Sequence, residues 1–156
     1  MPLAEHAARN PDKIASIMAG SGVSLTYGEL NERSIRLAHY LRASGLRPGD
    51  VVALHMENNI RYHEVFWAAV RSGMYLCAVN KFLTAEEVAY IVNDSGAKAL
   101  VTSAGMAAVA EEVAPLLDGC PIDWRSAARW RVAYATRISS RHNPARPWER
   151  SRAAIS

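Results

Sequence analysis

One rhythm constrains this chain more than any other feature. Short apolar runs alternate with helix-length segments, and a glycine follows most of those segments. Residues 51–56 are apolar apart from His55, a pattern suited to a strand covered on both faces. Residues 75–79 and 99–102 are further strand candidates. Between them, 27–44, 61–71 and 85–93 carry helical spacing, and 105–117 is expected to be a last helix with Ser103 near its cap. Thr26-Tyr27-Gly28-Glu29 and Thr84-Ala85-Glu86-Glu87 have the form of capping boxes, in which hydroxyl and carboxylate each satisfy a backbone amide of the first turn. Gly45, Gly73 and Gly96 stand where helices end, and Arg47-Pro48-Gly49-Asp50 reads as a turn. Upstream, 14–18 and 23–25 are short strands around Gly20-Ser21-Gly22. That turn lacks the third glycine and the following helix of a phosphate loop. Alternating units of this length predict an α/β layer fold with a mainly parallel sheet.

The 156 residues suit about one domain, and half of them are hydrophobic, enough for a core. No apolar run reaches the ~18 residues of a membrane-spanning helix. The opening MPLAEHAARNPDK has no apolar signal segment, so a cytoplasmic location is expected. Cys77 and Cys120 have no CxxC or Cys/His spacing around them and are expected to be reduced, buried thiols. Charge divides the chain in two. Residues 1–121 carry 10 basic and 13 acidic side chains, whereas 122–156 carry 8 arginines against Asp123 and Glu149. The expected organisation is therefore a body, 1–121, and an irregular or weakly helical tail, 122–156.

Isolated candidates for chemistry fail on spacing. His63-Glu64 opens like a zinc-protease helix, but residue 67 is Trp. His39, His55 and His63 share no ligand spacing and are expected to have surface or packing roles. Glu86-Glu87 and Glu111-Glu112 are adjacent on helices, do not face each other, and suit caps or solvated faces better than acid/base pairs. Lys81 is the only lysine between 13 and 98, and no mechanism asks for it. In the tail, Trp130, Tyr134 and Ile138 recur at helical spacing among arginines, which would suit an anionic membrane surface or, less well, nucleic acid. Arginine without lysine, abundant Ala and three of the four tryptophans fit better an out-of-frame reading of GC-rich DNA.

Taken together, Leu25-Thr26-Tyr27-Gly28-Glu29-Leu30, then Gly45 through Gly49-Asp50-Val51-Val52-Ala53, then Asn58, closely resemble the N-terminal region of the AMP-forming acyl-CoA synthetases of the adenylate-forming superfamily. Ala69-Val70-Arg71-Ser72-Gly73 with Asn80, the helix Glu87-Val88-Ala89-Tyr90-Ile91-Val92-Asn93-Asp94-Ser95, and the lead-in from His6 to Lys13 extend the resemblance over roughly residues 1–121. It implies part of the N-terminal lobe of such an enzyme. Intact relatives activate a fatty or other carboxylic acid with ATP and Mg²⁺ and pass the acyl group to coenzyme A. The resemblance places their chemistry in a Ser/Thr/Gly-rich loop ending in P-K-G, a threonine/glutamate motif for magnesium, a ribose-binding aspartate and a C-terminal lysine. None has a counterpart in this chain. Thr102-Ser103-Ala104-Gly105 lacks the lysine and comes too early. No catalytic, cofactor-binding or metal-ligating residue is therefore assigned. The expectation is a truncated ligase, inactive alone and marginally stable. The alternatives are one half of a split ligase completed by a separate chain, or a protein binding membrane or nucleic acid through its basic tail.

Overall fold

The computed structural model describes residues 3–117. The expected boundary at 121, Cys120 and the course of the tail 122–156 lie outside the described residues. Helix α1 (Leu3–Arg9) precedes an antiparallel hairpin, β1 (Ile14–Ile17) and β2 (Ser24–Thr26). There follow α2 (Tyr27–Ala43), β3 (Val51–His55), α3 (Tyr62–Arg71), β4 (Tyr75–Val79), α4 (Ala85–Asp94), β5 (Ala99–Thr102) and α5 (Ala107–Val113).

Both capping boxes form. At α2, Thr26 Oγ1 accepts from the Glu29 amide at 3.2 Å and Glu29 Oε2 accepts from the Thr26 amide at 3.0 Å. Thr84 and Glu87 repeat the arrangement at α4. Helix α2 ends with Gly45 at φ +100°, a left-handed conformation that disfavours side chains. The Leu46 amide then donates to the Leu41 carbonyl at 3.2 Å and the Gly45 amide to Arg42 at 3.1 Å, so the last turn's carbonyls are satisfied. The chain closes α3 and α4 in the same way: Met74 donates to Ala69 at 3.0 Å, and Ala97 to Val92 at 3.1 Å. The residue after each glycine (Leu46, Met74 or Ala97) is buried, which anchors the chain as it turns into the next strand.

Strands run in the order β4-β3-β5, all parallel and in unbroken register, with His55 level with Val79 on one side and Thr102 on the other. Helices α2 and α3 cover one face, where Leu41, Val52, Leu54 and Val65 are wholly buried. Each such side chain contributes about 1.5–3 kcal/mol. Helices α4 and α5 cover the other face around Val88, Val92 and Val113. This is the predicted α/β layer fold. Among the described residues β4 and β5 pair only with β3, so the outer edge of each is unpaired. A polar seam joins α2 to α3: Glu64, 1% exposed, accepts from Arg33 at 3.2 Å, and Arg71 donates to Asn31 Oδ1 at 2.8 Å.

Three features differ from the sequence reading. Helix α1 carries no signal strong enough to predict. Its seven residues are held by packing, with Leu3 joining Leu25 and Leu30 in a small separate cluster. The last helix is shorter than 105–117. A 3₁₀ turn at Ala104–Met106 precedes α5 and another at Ala114–Leu116 follows it, where Pro115 lacks an amide hydrogen. Cys77 is a free thiol but only half-buried, because it sits on β4 at the edge of the sheet. No helix among the described residues is long and apolar enough to cross a membrane.

Candidate functional site

Because β3, β4 and β5 are parallel, the loops leaving them converge on one edge of the sheet. The loop after β3 leads to α3 on one face, while those after β4 and β5 lead to α4 and α5 on the other. A crevice opens where loops part in this way, the usual ligand site of open α/β sheets. Here a cleft of about 540 Å³ lies at the carboxyl ends of β3 and β4, lined by Met56, Asn58, Tyr62, Asn80, Lys81 and Phe82 among others. Asn80 Oδ1 accepts from the Phe82 amide at 3.0 Å, which bends the loop after β4. The Lys81 ammonium lies 4.6 Å from the centroid of the Phe82 ring, whose side chain is 81% exposed. The cleft thus offers neutral amides, one cation and aromatic walls.

Beside it stands one carboxylate, Glu57, with its hydrogen-bond donors. Glu57 Oε1 accepts from Asn59 Nδ2 at 3.0 Å, and Oε2 accepts from Ser103 Oγ. Partial burial opposes ionisation of Glu57. The hydrogen bonds from Ser103, Asn59 and its own amide, with the nearby Lys81 charge, outweigh that penalty and hold its pKa below the ordinary carboxylate value. A carboxylate so stabilised is a weak base, so the Ser103–Glu57 pair is poorly suited to activating a nucleophile. His55, at the end of β3, is wholly buried, and neither ring nitrogen has a hydrogen-bond partner among the described residues. Burial lowers its pKa, with Glu57 pulling the other way.

The structure brings Asn58 and Asn80, the two asparagines of the family resemblance, into one cleft. It adds Lys81, for which the sequence alone shows no role. His55 has a packing position, as expected. His63 lies against Tyr62 with ring centroids 6.5 Å apart, and Glu64 turns into the α2–α3 seam. Glu87 is spent on its cap. Ser103 of the Thr102–Gly105 segment binds Glu57, so its hydroxyl is engaged within the protein. Sequence reasoning missed Glu57. The available signal was its place two residues beyond β3, as the polar Ser103 stands one residue beyond β5. Among the described residues no three His, Cys, Asp or Glu side chains gather as a metal site.

Comparisons with known proteins agree with this geometry. The family described as AMP-binding enzyme matches residues 3–146, a stretch that runs into the arginine-rich tail. A fatty acid–acyl-carrier-protein ligase, ScoC of Streptomyces coeruleorubidus, is 38% identical over 116 residues, covering 74% of this chain and 21% of that protein. A long-chain-fatty-acid–CoA ligase, FadD13 of Mycobacterium tuberculosis, is 32% identical over 124 residues, covering 78% of this chain and 25% of that one. The inhibitor-bound N-terminal domain of FACL13 from Mycobacterium tuberculosis superposes with a TM-score of 0.65 at 33% identity, over 70% of this chain and 27% of that domain. The chain thus spans about a quarter or less of the curated relatives it matches. On the family match and the shared fold, the chain belongs to the AMP-binding enzymes, and its described residues are similar to part of the N-terminal domain of FACL13.

Proposed function

We propose that this chain supplies the N-terminal portion of a ligase that activates a carboxylic acid, of the fatty-acid class, as its adenylate and passes the acyl group to coenzyme A, and that it performs no adenylation by itself. The carrying observation is the share of the relatives that it spans: 25% of FadD13 and 21% of ScoC. The cleft supports the same reading from its chemistry. Mg²⁺ bound to ATP phosphates calls for free carboxylate oxygens and a loop of backbone amides near a lysine. Glu57 is already engaged by Ser103 and Asn59, and among the described residues no acidic side chain lines the cleft. The donor set present does not fit magnesium-bound ATP. ATP, Mg²⁺ and coenzyme A would be held by polypeptide beyond this portion. One relative is named for a carrier protein as acyl acceptor and two for coenzyme A, and the proposal follows the latter. A cytoplasmic location belongs to the same proposal.

A second reading follows from the unpaired outer edges of β4 and β5. A separate chain carrying the remaining lobes would dock there and complete a split ligase. One assay tests both readings: pyrophosphate exchange with ATP, Mg²⁺ and a series of fatty acids. The chain alone should show no exchange. Exchange restored by a co-expressed second chain would establish the split form. Acyl-dependent exchange by the purified chain alone would overturn the proposal.

A further inference from the structure

The loops at the carboxyl edge are far apart in sequence, yet they must hold a fixed relation for the cleft to keep its shape. Glu57 is the group placed to enforce it. Its two oxygens serve two different segments: Oε1 takes the Asn59 amide of its own loop, and Oε2 takes the Ser103 hydroxyl just after β5. Asn59 carries the link onward, since its Oδ1 accepts from the Arg61 amide at 3.1 Å where α3 begins. Ser103 is 8% exposed, so this hydroxyl has little competition from water. Gly105 keeps the approach open. A Cβ at that position would lie 3.1 Å from Glu57 Oε2, tighter than ordinary packing allows. The third loop contributes the positive field of Lys81, and Asn58, the neighbour of Glu57, lines the same cleft as that lysine.

We propose that Glu57 is the positioning residue of the cleft: one carboxylate clamps the loop after β3 to the loop after β5 and thereby sets where Asn58 stands relative to Lys81. Both oxygens of the carboxylate are used as charged acceptors, so a neutral amide of the same shape replaces it only with weaker bonds. With its oxygen kept towards Asn59, Gln would turn its amide NH2 to Ser103 Oγ, so that bond would have to reverse direction and both bonds would lose the carboxylate charge. A charge-assisted hydrogen bond is also about twice as strong as a neutral one. The clamp stands on geometry alone. Its test reads loop opening rather than ligation, so its failure and the failure of the ligase reading are separable.

The experiment is amide hydrogen exchange by mass spectrometry on the full chain, comparing wild type with E57Q, S103A and S103T. In E57Q, exchange should rise about tenfold together in segments 56–60 and 102–106, with a smaller rise at 80–83, while α2 stays unchanged. S103A should loosen 56–60 as well as its own segment, and S103T, which keeps the hydroxyl, should restore protection to both. A rise confined to the mutated segment, an even rise that includes α2, or equal behaviour of S103A and S103T would each overturn the clamp. If E57Q fails to fold, the serine pair decides alone.

Discussion

The two edges of the three-stranded sheet are built by different means. At the amino edge the chain enters each strand through a helix-closing glycine and a buried apolar residue, and backbone groups bond to one another. The Gly49 amide donates to the Gly73 carbonyl at 2.7 Å, Tyr75 to Asp50 at 2.9 Å, and Lys98 to Val51 at 2.8 Å. At the carboxyl edge the corresponding loops are joined through side chains, with Glu57 between Asn59 and Ser103, and the residues left over face a cleft. Backbone joinery leaves nothing chemical exposed and tolerates many sequences, provided glycine and turn residues stay in place. Side-chain joinery depends on particular residues and leaves others, such as Asn58 and Lys81, available to a ligand. The family is recognisable in this chain largely through the caps, turns and core positions of its fold, while its candidate site lies at the carboxyl edge.

The largest expected effect tests what the two edges share. Leu54 is wholly buried between β3 and the α2–α3 face, and Leu54→Ala should cost about 2–5 kcal/mol in urea unfolding. It should weaken both edges equally in hydrogen exchange. A loss below 1 kcal/mol would mean that this core is less tightly packed than the burial implies.

His55 tests the carboxyl end of β3. Its folded-state pKa is depressed, so the unfolded chain binds the proton more readily. The stability that depends on a neutral His55 is complete above the ordinary value of 6.5 and drains away as pH falls below it towards the folded pKa. Two buried ring nitrogens without partners among the described residues also carry a desolvation cost, so His55→Met should raise stability by about 1–3 kcal/mol. In that variant the pH dependence that begins near 6.5 should disappear. Glu57, also depressed, accounts for a separate loss at lower pH, beneath the ordinary carboxylate range, which E57Q should remove. Chemical denaturation across a pH series checks both. An unchanged slope in the His55 variant would refute the assignment.

A smaller effect is expected at the amino edge. Gly73 has φ +71°, and a Cβ there would lie 3.3 Å from the Pro48 side chain. Gly73→Ala should cost about 1–2 kcal/mol in thermal unfolding while leaving exchange at 56–60 and 102–106 unaltered relative to the global change. Selective loosening of the cleft loops would show that the two edges are not built independently. The smallest effect belongs to Thr84→Ala, which removes the α4 cap and should cost about 1 kcal/mol. Its influence should be felt first in the Lys81–Phe82 loop.

Much of the fold was legible because its signals are local. Thr26 and Thr84 announce helix starts, Gly45 and Gly96 announce ends, and the apolar run after Asp50 reads as a buried strand. What stayed hidden was set by distant partners. Helix α1 forms because Leu3 meets Leu25 and Leu30, which a seven-residue window cannot reveal. The length of α5 was overestimated because the residues around Gly105 and Pro115 are helical in composition, whereas these two poor helix formers lie in 3₁₀ turns.

The candidate site was legible only in pieces. Asn58 and Asn80 could be picked out by resemblance, but nothing in a linear pattern says that they share a cleft, because their meeting depends on parallel pairing in which His55 stands level with Val79. Glu57 and Ser103 lie 46 positions apart, and neither belongs to a recognisable spacing. Sequence by itself determined the alternation of elements, their caps and the family, since helix capping, turn geometry and apolar periodicity act within a few residues. Tertiary structure alone decided which loop ends converge and which carboxylate joins them. That order is set by strand pairing and by the face on which each connecting helix packs, and the choice is made by the whole core at once.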